Sequence, residues 1–184
     1  MNKIAIFGGS FNPPHVGHLM TCQYILATRP DIDIINITPT YEHPFGKKLV
    51  DFYHRANMCD CMASYFDCNV VRTSRVEEAL GGISYTINTL RFLKEKWGDT
   101  TSWALVAGSD LISNPDEWRD FSEIEKLAEL IVIHRFGWKG GQGPAFMDIS
   151  STIIREKLRN GDSIDGWVPS TVLDYIKKFD LKFE

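Results

Sequence analysis

Apolar and polar positions along this chain fall into runs that predict strands and helices in turn. Ile4-Ala5-Ile6-Phe7 is an unbroken apolar run and predicts a buried strand. Beyond a stretch rich in glycine and proline, Leu19, Cys22 and Leu26, with Met20, Tyr24 and Ala27 beside them, recur at the three- and four-residue spacing of a helix packed on a sheet. That helix ends before Pro30. Ile32 to Ile37 is short and β-branched, which favours a second strand stopped by Pro39, and Thr38 to Lys48 is a polar loop. A helix opens at His54 and runs through Met62 towards Phe66, and Val70-Val71 predicts a short third strand. An acidic segment around Glu77 and Glu78 and a Gly81-Gly82 break then precede a helix from Ser84 to about Trp97. Trp103 to Ala107 is a wholly apolar fourth strand, and Leu130 to Ile133 a fifth, closing at His134-Arg135. Gly137 to Gly143 holds four glycines in seven residues and reads as a mobile loop. Serines then precede an apolar helix ending near Gly161, with Ser150 or Ser151 as its N-cap.

Strands alternating with helices predict an α/β fold, a parallel sheet of five or six strands with helices on both faces. Neither an internal repeat nor a composition shift marks a boundary, so residues 1–184 are expected to form one domain. The hydrophobic content of 43% suits a sizeable core. A net charge of −4 and a sequence pI near 5.7 argue against a broad basic surface for a nucleic acid polymer or an anionic membrane, so any anionic ligand must be met by local clusters. No stretch reaches the roughly 20 apolar residues of a membrane span, and Met1-Asn2-Lys3 leads straight into a strand; a cytoplasmic location is expected. Cys22, Cys59, Cys61 and Cys68 form no C-x-x-C pair. The last three lie near or within a helical pattern, so free thiols are expected and no structural metal.

The chemistry concentrates where the first strand turns into the first helix, at Phe7-Gly8-Gly9-Ser10-Phe11-Asn12-Pro13-Pro14-His15-Val16-Gly17-His18. Glycines allow close backbone approach, and the prolines interrupt regular structure before the helix. His15 and His18, three apart, can project side by side from the first turn, beside free N–H groups at a positive helix end that suits a polyphosphate. A second anion site is predicted at Ser151 and Thr152, whose hydroxyls stand one turn from Arg155 at another helix start. Lys47 and Lys48 offer point charges, but Gly46-Lys47-Lys48 is no P-loop, because Tyr41 stands where its upstream glycine would be. Gly108-Ser109-Asp110 follows the fourth strand, where Gly108 allows close approach and Asp110 can accept from ribose hydroxyls.

His15-Val16-Gly17-His18 resembles the H-x-G-H signature of a nucleotidyltransferase superfamily, and the longer GGSFNPPHVGH resembles its nicotinate or nicotinamide mononucleotide adenylyltransferase branch. The string from Ile149 to Arg155 matches that branch's ISSTxIR motif, Gly108 to Asp110 with Trp118 is similar to its G-x-D element and downstream tryptophan, and Val168-Pro169 with Val172 to Ile176 is similar to its terminal helix. The resemblance implies a Rossmann-like nucleotidyltransferase domain, although the G-x-G-x-x-G fingerprint is absent. It implies ATP contacts from Gly8, Gly9, Ser10, Phe11, Lys47, Lys48, Gly108, Asp110, Ser151, Thr152 and Arg155, and substrate contacts from Ser84, Tyr85, Thr86, Trp118 and Arg135. His15, His18 and Arg155 would be the catalytic set. Asn88 departs from the acidic residue usual in bacterial members, which weakens any role for that position.

The implied reaction is attack by a pyridine mononucleotide 5′-phosphate on the α-phosphorus of ATP, with Mg2+ arriving on the triphosphate and no metal held by the protein alone. Its product is deamido-NAD from the nicotinate form, which the bacterial look of the motifs favours, or NAD directly from the nicotinamide form. Such a nucleophile is already ionised, so neither a general base nor a covalent intermediate is required. A class I aminoacyl-tRNA synthetase shares an HxGH-like element, but 184 residues leave little room for a tRNA-binding domain. Pantetheine-phosphate and cytidylyl transferases share the chemistry but resemble GGSFNPPH and ISSTIIR less. A non-catalytic nucleotide sensor would be signalled by loss of a histidine or of Arg155, and all three are present. The motifs leave a homo-oligomer open.

Overall fold

The computed structural model describes residues 2–109, 118–135, 142–146 and 149–183. Its centre is a six-stranded sheet in the order β3-β2-β1-β4-β5-β6, with every pairing parallel. The strands are β1 (Asn2–Gly9), β2 (Ile34–Pro39), β3 (Val71–Thr73), β4 (Thr101–Gly108), β5 (Glu129–Arg135) and β6 (Gln142–Phe146). The described helices are α1 (Val16–Thr28), α2 (Phe52–Ala63), α3 (Val76–Leu80), α4 (Thr86–Trp97), α5 (Phe121–Leu127), α6 (Ser151–Asn160) and α7 (Ser170–Lys178). Among the described residues no helix is long and apolar enough to cross a membrane.

The period-2 alternation of strand side chains divides the core between the two faces. Ala5 and Phe7 of β1, with Ala104 and Val106 of β4, pack with Cys22 and Ile25 of α1, Met58 and Met62 of α2, Ile154 of α6, and Val172 and Ile176 of α7. Ile6 of β1 and Leu105 of β4 face the other way, onto Ile87, Leu90 and Leu93 of α4 and Ile124 of α5. Strand order reverses between β1 and β4: the chain leaves β1 for β2 on one side and leaves β4 for β5 on the other. A crevice at the carboxyl ends of these two strands, beyond Gly9 and Gly108, is where an open parallel sheet takes ligands.

Several boundaries differ from the sequence expectation for identifiable reasons. α2 starts at Phe52, two residues before His54, because Asp51 caps it by accepting from the Tyr53 N–H at 2.8 Å. β2 starts at Ile34. Ile32 is buried like a strand residue but belongs to the turn after α1, where its N–H bonds the Arg29 carbonyl. The five-residue α3 and the seven-residue α5 were not legible, since both are too short to develop a helical stripe. The glycine-rich stretch 137–143 lies mostly outside the described residues. Its last two, Gln142 and Gly143, are not loop but open β6, parallel to β5 with a register irregularity between Ile133 and Arg135. Cys22 and Cys59 are buried, Cys61 is half-buried and Cys68 exposed, all four as free thiols.

Candidate active site

The turn between β1 and α1 is built from buried polar groups. Phe11 takes a left-handed conformation, φ 46°, which turns its ring inward against Phe7 at 5.5 Å and His18 at 4.8 Å between centroids. Phe11 is 1% exposed, so what it can offer a nucleotide is backbone. Asn12 is equally buried, and its Oδ1 accepts from the Val50 N–H at 3.1 Å. Gly8 is exposed, and a Cβ built there would meet nothing within 4 Å, so the end of β1 faces open space.

His15 is the N-cap residue of α1 and His18 its third helical residue. The His18 Nδ1 accepts from the His15 backbone N–H at 3.1 Å, which satisfies one of the orphan donors at the helix start. An accepting Nδ1 puts the neutral imidazole's proton on Nε2, making that atom the donor. The two rings stack at 3.7 Å between centroids with planes 27° apart. Gly17 lies between them. A Cβ there would approach the Ile149 Cγ2 at 2.9 Å, the His15 Nδ1 at 3.0 Å and the His15 Cε1 at 3.1 Å. The glycine of H-x-G-H therefore makes room for the first histidine's ring.

The second motif is brought to the first from the far end of the chain. Ser150 caps α6, accepting from the Ile153 N–H at 3.3 Å. Ser151 donates its hydroxyl to the Pro13 carbonyl at 2.9 Å, a bond across 138 positions of sequence. Arg155 donates from Nη1 to the Asn12 carbonyl at 3.0 Å and from Nη2 to the Thr152 hydroxyl at 3.1 Å. Half-burial pushes the Arg155 guanidinium below its ordinary value, with the neighbouring Arg159 acting the same way, yet an arginine so placed stays cationic. His15, His18, Ser151, Thr152 and Arg155 are thus gathered around one turn.

The expected substrate residues Ser84, Tyr85 and Thr86 stand at the start of α4. Ser84 precedes α4, and its hydroxyl accepts from the Tyr41 N–H at 2.9 Å; Tyr85 caps the helix and Thr86 opens it. Tyr85 and Trp118 pack against the core between Ile6, Leu105 and α4, and Arg119 holds its guanidinium 4.9 Å from the centre of the Tyr85 ring. Lys47 and Lys48 are exposed on the loop after β2, where burial, helped by Lys47 and Arg55, holds His43 below the ordinary histidine value. Gly108 ends β4, and Ser109 after it is buried. Asp110 falls outside the described residues, and Arg135 is described only as the last residue of β5. Asn88, on the first turn of α4, is exposed.

Sequence reading missed Arg55, Asn12 and Glu77. Arg55 is 2% exposed and donates to four carbonyls: from Nε to Val50 at 2.7 Å, from Nη1 to Ser10 at 3.0 Å and Thr40 at 2.7 Å, and from Nη2 to Tyr41 at 3.2 Å. The available signal was its place on the apolar stripe of α2, between Phe52 and Cys59. Nucleophilic thiols are lacking nearby: burial pushes Cys22 up to about 12 and raises Cys59 well above an ordinary thiol.

Residues 6–157 match the model of a family described as cytidylyltransferase-like. A Myxococcus xanthus protein named "probable nicotinate-nucleotide adenylyltransferase" is 37% identical over 181 residues, covering 97% of this chain and 94% of the relative. A Lactiplantibacillus plantarum protein of the same name is 34% identical over 97% of this chain and 87% of its own length. In fold, the chain is similar to Plasmodium falciparum nicotinic acid mononucleotide adenylyltransferase complexed with NaAD. The TM-score is 0.84 at 22% identity, over 98% of this chain and 97% of that one. The chain belongs to the cytidylyltransferase-like family, in the branch of the nicotinate-nucleotide adenylyltransferases.

Proposed function

We propose that this protein transfers the adenylyl group of ATP to nicotinate mononucleotide, forming deamido-NAD and releasing pyrophosphate. The observation that carries the reading is the stacked His15–His18 pair at the strand-switch crevice, with Ser151 and Arg155 bonded onto the same turn. The names of the relatives, covering nearly the whole chain, support the nicotinate form over nicotinamide mononucleotide.

The mononucleotide phosphate is an ionised nucleophile at neutral pH, so the protein's task is alignment and charge stabilisation. Its oxygen forms a bond to the α-phosphorus while the bond to the β-phosphate oxygen breaks, and the electron pair leaves with pyrophosphate. His18 Nε2 and His15 would donate to the triphosphate, with Gly8, Gly9 and Ser10 offering close backbone approach. Ser151, Thr152, Arg155 and one of Lys47 or Lys48 would hold its distal phosphates, and Gly108 with Asp110 would meet the nucleoside. Ser84, Tyr85, Thr86, Trp118 and Arg135 would receive the mononucleotide, whose ring Trp118 can stack on and whose carboxylate the start of α4 can meet with backbone N–H groups.

Among the described residues no group of three or more His, Cys, Asp or Glu side chains converges. The nitrogen donors around the turn suit phosphate better than a hard cation. Mg2+ would therefore be held chiefly by the triphosphate and water, where it supplies charge neutralisation. Pyrophosphate release measured in parallel with nicotinate and nicotinamide mononucleotide tests the reading. Turnover is expected with both ATP and the acid form present, at a kcat/KM above that for the amide. Equal or higher kcat/KM for the amide makes the product NAD directly, and ATP binding without turnover of either leaves a nucleotide sensor.

A further inference from the structure

Two buried groups of opposite charge meet at the backbone of one residue between the two halves of the cleft. Arg55 donates to the Tyr41 carbonyl at 3.2 Å, and Glu77, 8% exposed, accepts from the Tyr41 N–H at 3.3 Å through Oε2. The cation is bonded on its other side to the Ser10 carbonyl, in the turn that leads to His15. The anion is bonded on its other side to α4: its Oε1 accepts from the Thr89 hydroxyl at 3.2 Å, and the Ser84 hydroxyl bonds it as well. Ser84 closes the circuit, because its hydroxyl shares the Tyr41 N–H and its own N–H donates to the Glu42 carbonyl at 2.9 Å.

One chain of bonds thus runs from Ser10 through Arg55, Tyr41 and Glu77 to Ser84 and Thr89. It links the ATP-side turn to the mononucleotide-side helix start, and no link is solvent-exposed. Burial is the largest influence on Glu77 and raises its carboxyl above the ordinary value, while the three donors and Arg55 act in the opposite sense. A carboxyl kept in such a place needs its donors, because an unmatched buried polar group is costly.

We propose that Arg55 and Glu77 are paired positioning residues that fix the two substrate subsites relative to each other through the Tyr41 backbone. Arg55 acts on the ATP side and Glu77 on the mononucleotide side. This rests on the assignment of Ser84 to Thr86 to the mononucleotide. Neither side chain touches a reacting atom. Both set where the touching groups stand, and their effect falls on KM in a substrate-specific way.

The test uses the full chain with Glu77→Gln, Thr89→Val and Arg55→Lys. Glutamine keeps the shape of Glu77 but has one accepting oxygen for three donors. Glu77→Gln raises the KM for nicotinate mononucleotide about fivefold or more, with the KM for ATP changed less than about twofold; Thr89→Val follows in the same direction more weakly. Arg55→Lys gives the reverse split, ATP being the more affected. Hydrogen exchange of the ligand-free protein supplies a readout independent of turnover: the Tyr41 amide exchanges at least about tenfold faster in Glu77→Gln, as loss of a bond to a charged acceptor predicts. Equal rises in both KM values, or a lowered Tm with both KM values unchanged, reduce the pair to ordinary structural bonds and overturn the proposal. If the wild-type protein turns over neither mononucleotide, the proposed function falls. Exchange then decides alone, with unchanged Tyr41 protection refuting the linkage and faster exchange confined to residues 40–42 and 84–89 upholding it.

Discussion

Gly17→Ala separates stability from catalysis at the centre of the H-x-G-H motif. Gly17 is the second residue of α1, and its φ lies outside the left-handed region, so alanine's backbone is allowed there. Helix propensity by itself would favour alanine by about 0.5–1 kcal/mol. Against that, the new Cβ would stand 2.9 Å from the Ile149 Cγ2 and 3.0–3.1 Å from two atoms of the His15 ring. His15 is 3% exposed and stacked on His18, so neither ring can move aside without disturbing the other. Overpacking of this kind costs about 1–3 kcal/mol. The net change in stability is then between zero and about 2.5 kcal/mol, a Tm lower by at most about 10 °C for a domain of this size. The catalytic effect is separate. A displacement of several tenths of an ångström at a proposed phosphate donor, on the scale where 1 Å is worth about 10²-fold, lowers kcat about 3- to 30-fold. Differential scanning calorimetry and pyrophosphate-release kinetics on the same preparation check both parts. A raised Tm with kcat/KM within twofold of wild type would show that the cavity accepts a methyl group, and would refute the reason given for the glycine.

His18→Ala lowers kcat about 10²-fold or more with a smaller change in KM, because it removes both the Nε2 donor and the acceptor of the His15 N–H; an unchanged kcat in steady-state assays of a folded variant returns His18 to a capping role. Arg155→Lys raises the KM for ATP despite retained charge, since an ammonium cannot keep the Asn12 carbonyl and Thr152 contacts while presenting a planar pair of donors to phosphate; wild-type ATP kinetics would refute this. At the opposite end of the sheet, Arg29 and Lys3 hold the Asp31 carboxyl below its ordinary value, and Lys3 and Arg29 do so for Glu129. Depressed carboxyls stabilise the fold above their unfolded values near about 4 and lose that contribution as pH falls through the lower folded values. Both are largely exposed, so the effect is small, and Asp31→Asn flattens the acid limb of a Tm-versus-pH curve slightly; an unchanged limb removes the network from the stability account.

The parallel sheet was legible because every long strand is an apolar run and every long helix has a stripe. The two motif-bearing helix starts were legible because turn residues, histidines and capping serines announce local geometry. What joins them was not. Ser151 and Arg155 meet Pro13 and Asn12 through backbone carbonyls, and a carbonyl carries no residue identity for a sequence to display. Asn12 reads as one more turn-former, although its side chain and its carbonyl each fasten a different part of the chain. Glu77 looks like half of a solvated acidic pair with Glu78, and only the fold turns Glu77 inward while Glu78 stays exposed. β6 escaped because Gly143 and Pro144 outweigh its short apolar content, and edge pairing to β5 supplies what propensity does not.

A protein of net charge −4 that handles two polyanions must keep some of its cations uncancelled, and the partners of its arginines divide accordingly. Arg29, Arg75 and Arg91 bond carboxylates on the surface, Arg29 to Asp31 and Glu129, Arg75 to Asp60, and Arg91 to Asp120 and Glu123. Carboxylates raise Arg29 and Arg91 above the ordinary value, and the pairs have little charge left to project. The hydrogen bonds of Arg55 and Arg155 go instead to carbonyl oxygens and one hydroxyl, and burial moves both guanidinium groups the other way. A carbonyl dipole orients a guanidinium without neutralising it. Arg155, bonded onto the β1–α1 turn, therefore keeps most of its unit charge at a half-buried place where it is screened less than at the surface, whereas Arg55 faces the buried Glu77 carboxyl across Tyr41. A local charge of that kind would let an acidic protein attract ATP without a basic surface, and the Asn12 carbonyl that orients it is a contact no side chain announces.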